Sequence, residues 1–225
     1  MRAPPGRHPI DLGCGAALAT VCAIDFYTAR SLSLVAYVQP SLVALVQSIE
    51  IGLAAVSAVG VAAVLISWPL LERPAHRRLT FAVLALQTLG LMLDVVGLVA
   101  STLFGHRAKP LYLLLEVALV HASTVLLFTA WYATIDHPRQ LAHARGEPVR
   151  QAFAFPQHSA RYAGYEGWVP GFVDYISFSF TASSSLAPAE ALALAPSAKL
   201  LTNLQVSISL VILLVLAARA IGLIV

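Results

Sequence analysis

The chain has 225 residues, of which 59% are hydrophobic and 11% are charged, and its mean hydropathy is +0.80. This balance excludes an ordinary soluble domain, in which charged residues make up about a quarter of the chain. The formal net charge of +3 does not indicate a nucleic-acid partner, because the arginines lie in short segments between apolar stretches, where they orient membrane helices. The composition predicts an all-α, polytopic protein in the lipid bilayer of the cell membrane.

The first two apolar stretches predict two spans. The first runs from about Ile10 to Phe26, with an aspartate near each end. Arginines before it give the outline of a signal peptide, so a true span and a cleaved signal both stay open. We predict the second span from Pro40 to Leu71, because the residue before a proline avoids the helical region. Residues Ser31–Gln39 would be an interfacial lead-in, with a separate short span as the alternative.

Two more spans and a polar segment follow. We predict spans from Leu79 to Phe104 and from Leu111 to about Ala133. The fourth span ends in Trp131 and Tyr132, aromatic residues that favour the headgroup level. The next residues, 134–171, predict a membrane-surface loop. The chain thus divides into N-terminal transmembrane helices at 1–133, this polar loop, and a C-terminal part at 172–225.

The residues after the polar loop predict a short helix that enters the membrane and turns back. The stretch Phe172–Leu186 alternates aromatic residues with hydroxyl residues. A helix of about ten residues cannot cross a hydrocarbon core of roughly 30 Å. Two prolines then precede a last helix that begins at about Lys199. This order predicts about five spans and one re-entrant helix and loop, which is tolerated only where it is buried in protein or lines a wet cavity. An ordinary extramembrane loop is the alternative.

Several residues in this stretch resemble the potassium-channel superfamily. Phe178-Ser179-Phe180 stands where the pore helix of these channels carries FSF or YFS, and Ser184–Glu190 falls on the filter pattern T-T-V-G-Y-G-D. Pro196–Lys199 falls on the proline and basic residue that open the inner helix. From Trp131 onward the chain also resembles a group of uncharacterised bacterial membrane proteins with this channel-like end. The resemblance implies a homo-oligomer, a tetramer if it is channel-like.

The filter region departs from the potassium pattern, because alanines replace both glycines that the carbonyl-lined filter requires. Pro188 also restricts Ala187 to extended conformations. We therefore expect no potassium selectivity. A small ion or solute would instead meet hydroxyls and a ring of Glu190 charges, and a degenerate, non-conducting pore is the alternative. The residues predicted to be pore-lining or filter-like in this region are Thr181, Ser183, Ser184, Ser185, Leu186, Ala187, Pro188 and Glu190.

The last helix carries further polar residues at spacings of three and four, which gather on one side of a helix. In a channel, Asn203, Gln205 and Ser209 would line a wet path. In the other interpretation they form interhelical hydrogen bonds, worth about 1 kcal/mol or less each. The sequence favours neither.

Four ionisable residues lie inside predicted spans: Glu50, Asp94, Glu116 and His121. An aspartate at mid-span costs roughly 2.5 to 3.5 kcal/mol on insertion scales, so Asp94 is either functional or paired with another span. Glu116 and His121 are five residues apart and do not stack as neighbours on one helix face. No second His or Cys stands at metal-site spacing from His121, and we expect no metal and no cofactor.

Three hypotheses about function follow. No GxSxG, HExxH, CxxC or phosphate-binding glycine motif occurs, so we do not expect an enzyme. The first hypothesis is a channel-like protein that passes a small ion or solute past residues 181–190. The alternative is a non-conducting scaffold or sensor subunit that binds another membrane protein. A membrane-embedded redox or lipid enzyme is the weakest of the three.

The pore resemblance and the charges disagree about orientation. Potassium-channel pore loops enter from outside, which would place residues 72–78 and 134–171 outside. These two segments carry most of the arginines, whereas the opposite connection carries only Arg107 and Lys109. The positive-inside rule therefore places both segments in the cytoplasm. We prefer this rule, which predicts a pore loop that enters from the cytoplasm.

Overall fold

Six α-helices and a small sheet form the protein in a computed structural model that describes residues 9–31, 40–70, 73–104, 110–158, 164–165, 167–185 and 191–222. The helices are α1 (Pro9–Ser31), α2 (Pro40–Leu70), α3 (Arg73–Phe104), α4 (Pro110–Ala144), α5 (Phe172–Ser185) and α6 (Pro196–Gly222). Strand β1 (Phe153–Ala154) pairs antiparallel with β2 (Leu192–Ala193), and a 3-10 turn, Pro156–His158, follows β1. The all-α prediction is confirmed, because each strand has only two residues.

Five of the six helices are long and apolar enough to cross a membrane. They are α1, α2, α3, α4 and α6, so the predicted number of spans is confirmed. The protein is a multi-pass membrane protein. Helix α5 has 14 residues, about 21 Å of helix, which is too short to cross. The predicted lead-in before the second span lies almost wholly outside the described residues.

Proline marks the start of four helices. Pro9, Pro40, Pro110 and Pro196 each stand first in their helix, where the missing N–H costs nothing and the fixed φ suits the helix. The predicted start at Pro40 is therefore right. The last helix begins one turn earlier than predicted, because the N–H of Lys199 already donates to the carbonyl of Ala195 at 3.0 Å.

The helix of the fourth span does not end near Ala133 as predicted. Helix α4 continues to Ala144, with Pro138 inside it. It ends in a Schellman motif, in which the N–H of Glu147 donates to Ala142 O and that of Gly146 to His143 O, at 3.0 and 2.9 Å. Gly146 has a φ of 79°, which the motif requires and glycine adopts cheaply. The first residues of the polar segment after Tyr132 thus belong to helix α4.

Helix α4 is the centre of the bundle. It packs against α1, α3, α5 and α6, and its Leu127, Phe128 and Ala130 are fully buried. Gly13 of α1 lies against the ring of Phe172, which places the start of α1 beside α5 and the small sheet. We call this the sheet end of the bundle. At the opposite end, Arg219 Nε donates to Thr102 Oγ1 at 3.2 Å.

Candidate functional site

Helix α5 has a buried face and an exposed face. Its N-terminus is capped, because the carboxylate of Asp174 accepts the N–H of Gly171 at 2.7 Å. The buried residues recur at spacings of three and four, as one helix face requires: Tyr175, Phe178, Ser179, Ala182 and Ser183. The other face carries Val173 and Phe180, which are 74% and 56% exposed.

A buried carboxylate holds the start of α5 in place. Asp136 of α4 is fully buried and accepts the hydroxyl of Tyr175 at 2.9 Å and the amide of Gln140 at 2.8 Å. Its other oxygen accepts the backbone N–H groups of Ala152 and Phe153 at 2.7 and 3.2 Å. Four donors from three parts of the chain thus satisfy this carboxylate, and together they join α4, α5 and β1.

Aromatic rings pack directly beside this carboxylate. Tyr132, Phe153 and Phe178 meet pairwise edge to face, with ring centroids 5.0 to 5.1 Å apart, an arrangement that adds stability beyond burial. All three residues are fully buried. The ring of Tyr132 thus lies in the core between α4, α5 and β1 and not on the lipid-facing surface, while its depth at the headgroup level stays a prediction.

Gln205 of α6 is the polar link between α4, α5 and α6. The two N–H bonds of its Nε2 are shared among three acceptors at 2.7 to 2.9 Å, Ser179 O, Ser179 Oγ and Ser183 Oγ, and its Oε1 accepts the hydroxyl of Tyr132. Ser179 in turn donates to Val125 O of α4 at 2.8 Å. Gln205 and Ser183 are fully buried. Within one chain they face each other in a closed hydrogen-bonded core.

The other predicted pore residues divide into four groups. Ser184, Ser185 and Asn203 are exposed, whereas Ser209 is fully buried, with no partner for its hydroxyl among the described residues. Thr181 is half-buried and donates to backbone carbonyls of its own helix. The filter-like residues Leu186, Ala187, Pro188 and Glu190 lie outside the described residues, and their role as filter residues stays a prediction.

The chain leaves the sheet end at α5 and comes back to it. Helix α5 starts beside Asp136, to which Tyr175 is bonded. After α5, β2 pairs with β1, and the N–H of Leu194 donates to Ala152 O at 2.8 Å. Asp136 accepts the N–H of the same Ala152. The two connections of α5 therefore lie at the same end of the bundle.

No protein family, curated protein or solved structure matches the chain. The resemblance of its C-terminal part to the potassium-channel pore loop therefore rests on the residues quoted above. The position of both connections of α5 at the sheet end is a geometric observation that is independent of that resemblance.

A second group of polar residues lies in the first three helices, towards the opposite end. Asp25 of α1, Glu50 of α2 and Asp94 of α3 line one small cavity. Thr28 donates to Asp94 Oδ1 at 3.2 Å. Of the predicted intramembrane charges, Glu50 and Asp94 thus come together. The third predicted acid, Glu116, is buried and interacts electrostatically with Asp94.

His121 does not gain ligand partners from the fold. Its side chain is half-buried, and its Nδ1 has no hydrogen-bond partner among the described residues. Across the described part of the chain, no group of three or more His, Cys, Asp or Glu side chains is placed to hold a metal ion.

His158 lies outside the spans, in an aromatic cluster at the sheet end. Its ring packs edge to face on Phe155 and Trp168, with centroids 6.3 and 5.2 Å apart. Desolvation by these neighbours lowers the pKa of His158 below its usual value, and nearby His143 lowers it further, while Asp136 acts in the opposite direction. The neutral ring is therefore favoured in the folded protein.

Sequence reasoning missed two of the residues that organise these sites. The sequence predicts a surface loop at Asp136, although a helix with 3.6 residues per turn that continues past Tyr132 puts Asp136 and Gln140 on one face. The first predicted span ends at about Phe26, which puts Asp25 at its edge. The signal for Asp25 is an aspartate with apolar residues on both sides inside a predicted span, where carboxyl groups are rare and costly.

Proposed function

We propose that the protein is a channel-like component of the cell membrane that passes a small ion or solute along α5 and the loop after it, without potassium selectivity. One observation carries this proposal. A helix too short to cross the membrane leaves the sheet end and returns to it, which is the path of a re-entrant helix. Transport fits this geometry better than catalysis.

The path would run between copies of the chain. Gln205, Ser179 and Ser183 close the space between α5 and α6 inside one chain. Exposed hydroxyl and amide groups remain on the outer faces of these helices, at Ser184, Ser185 and Asn203. Several copies around an axis would bring these groups together and repeat Glu190 as a ring of charge. We therefore propose a homo-oligomer, with a tetramer as the arrangement that the pore-loop resemblance implies.

The charges support entry of α5 from the cytoplasm. The sheet end carries the exposed Arg77, Arg78, Arg145, Arg150 and Lys199. Lysine and arginine in short connections favour the cytoplasmic side. In this orientation α5 would enter the membrane from the side opposite to the one from which a potassium-channel pore loop enters.

Flux through liposomes tests the proposal. The variant Ser184→Ala, Ser185→Ala and Glu190→Gln removes the hydroxyls and the charge together, and Thr20→Ala, an exposed hydroxyl on α1, is the matched control. We expect monovalent-ion or small-solute flux with the wild-type protein, lower flux with the triple variant and wild-type flux with the control. Absence of all flux, or equal flux with the triple variant, contradicts the proposal. A stable monomer that copurifies with one membrane protein would favour the scaffold alternative.

A further inference from the structure

Three helices each contribute one carboxyl group to the same cavity. Asp25, Glu50 and Asp94 line it together with small and apolar residues such as Ala54 and Gly90. The three side chains are only 7%, 8% and 5% exposed. A carboxyl group at such a depth in a membrane helix is costly and marks a functional site by default.

Each of these carboxyl groups has an oxygen without a hydrogen-bond partner among the described residues. The atoms are Asp25 Oδ1, Glu50 Oε2 and Asp94 Oδ2. Asp136 shows the contrast within the same protein, because four donors surround its carboxylate. The Asp136 carboxyl group is thus surrounded by donors, whereas the three cavity carboxyls are left with unused acceptor positions.

The cavity has a volume of about 10 Å³, close to the smallest space that holds one water molecule. A water there would have the polar partners that such a site needs, since three carboxyl groups border it. The cavity therefore suits a proton shared among carboxyl oxygens, directly or through one water.

Among the described residues, no basic side chain is an electrostatic neighbour of Asp25, Glu50 or Asp94. The ion pair of Arg145 with Glu147 lies on the surface. The groups that face Asp94 are acidic or neutral: Asp25, Glu50, Glu116 and the hydroxyl of Thr28. Arg219 interacts with Glu116, and Cys22 lies beside Asp25. Adjacent like charges in a poorly hydrated site take up protons rather than remain ionised together.

We propose that Asp25, Glu50 and Asp94 form an intramembrane proton-binding site that holds at least one exchangeable proton at neutral pH. In uptake, a proton passes from hydronium to a carboxylate oxygen, forms one O–H bond and leaves a water molecule; release reverses this step. A proton fits better than a metal ion, because the described carboxyls do not form a metal-binding group.

The site exchanges with the end of the bundle opposite the sheet. Asp25 stands six residues before the end of α1 at Ser31, roughly 9 Å along the helix. Asp94 stands ten residues before the end of α3 at Phe104, roughly 15 Å. The sheet end is farther from both. The inference goes beyond the proposed channel and does not depend on it.

Infrared spectroscopy of the full chain in liposomes tests the site. We expect the C=O stretching band of a protonated carboxylic acid at neutral pH, with a shift in D₂O and a loss at alkaline pH. Asp25→Asn, Glu50→Gln and Asp94→Asn should each reduce or move this band. The control Glu147→Gln changes an exposed carboxylate and should leave the band unchanged.

Two results would overturn the proposal. One is a wild-type spectrum without a protonated carboxyl band at neutral pH, which needs no variant and is independent of any folding defect. The other is a wild-type band that persists unchanged in all three folded variants, or that only Glu116→Gln removes. Flux measurements do not enter this test, so its failure is separate from failure of the channel proposal.

Discussion

Replacing Tyr175 by phenylalanine removes one hydroxyl and keeps the ring that packs in the core. The hydroxyl donates to Asp136 at 2.9 Å, and both residues are fully buried. A hydrogen bond to a charged group contributes about 1.5 to 3 kcal/mol. Three other donors to Asp136 remain, which favours the lower half of this range. We expect Tyr175→Phe to lower the free energy of unfolding by about 1.5 to 2 kcal/mol.

Thermal unfolding in a mild detergent, followed by tryptophan fluorescence, measures this loss. For a chain of this size, 1 kcal/mol corresponds to about 2 to 4 °C in Tm, so the expected shift is about 3 to 8 °C. Tyr165→Phe is the control, because Tyr165 is 45% exposed and its change should stay within about 0.5 kcal/mol. Equal Tm values for Tyr175→Phe and Tyr165→Phe would refute the role of Asp136 in holding α5.

The remaining predictions concern packing, polar links and pH. Gly13→Ala should lower the free energy of unfolding by about 1 to 3 kcal/mol, because the new β-carbon would lie 2.5 Å from an aromatic ring of α5. The control Gly52→Ala has open space around the new β-carbon, so this variant should unfold at or above the wild-type Tm. Gln205→Leu should lower Tm because it leaves buried hydroxyls unpaired, while Asn203→Leu on the exposed side should not; equal effects would contradict the assignment. The pKa of His158 is lowered in the folded protein, so as pH falls the unfolded chain binds a proton at this residue before the folded protein does. Stability should therefore fall as pH drops below about 6.5. His158→Gln should make this fall smaller when Tm is measured over a series of pH values.

The spans were predictable because the information that defines them is local. Runs of about 20 apolar residues and the prolines that open them are visible in any short window. The start at Pro40 and the end of α3 at Phe104 follow directly from such windows. The short α5 was also predictable, because Phe172–Ser185 is apolar on one face and too brief to cross.

The extension of α4 was not predictable from its own residues. Asp136 and Gln140 look like loop residues until their partners are known, and apart from the bond between the two, these partners lie 11 to 39 residues farther along the chain. A buried carboxylate is acceptable there only because four donors surround it. Sequence windows cannot show donors that arrive from β1 and α5.

The polar face of α6 shows the same limit. Spacing alone placed Asn203, Gln205 and Ser209 on one side of a helix. The structure separates them, since Gln205 and Ser209 are buried and Asn203 is exposed. Asn203 stands two residues before Gln205, roughly 200° around a helix of 3.6 residues per turn, so helix geometry itself puts the two on opposite sides. The sequence does not show which of these sides faces α4 and α5.

Two of the three acids in the carboxyl cluster could be identified from the sequence. Glu50 and Asp94 stood out as acids inside clear spans. Asp25 did not, because the first predicted span ends at about Phe26, which places this aspartate at the edge of the span rather than inside it. The meeting of the three acids depends on how α1, α2 and α3 pack, and this packing is tertiary information.

Cysteine accessibility tests most directly the central claim that α5 enters the membrane and returns on the same side. In a background without the two native free cysteines, single cysteines at Glu147 and Ser197 flank the excursion, and one at Ile221 marks the far end of α6; all three positions are exposed. We predict that Glu147→Cys and Ser197→Cys react with an impermeant reagent from one side of the membrane and Ile221→Cys from the other. Reaction of Glu147→Cys and Ser197→Cys from opposite sides would mean that α5 crosses the membrane, and would contradict the account.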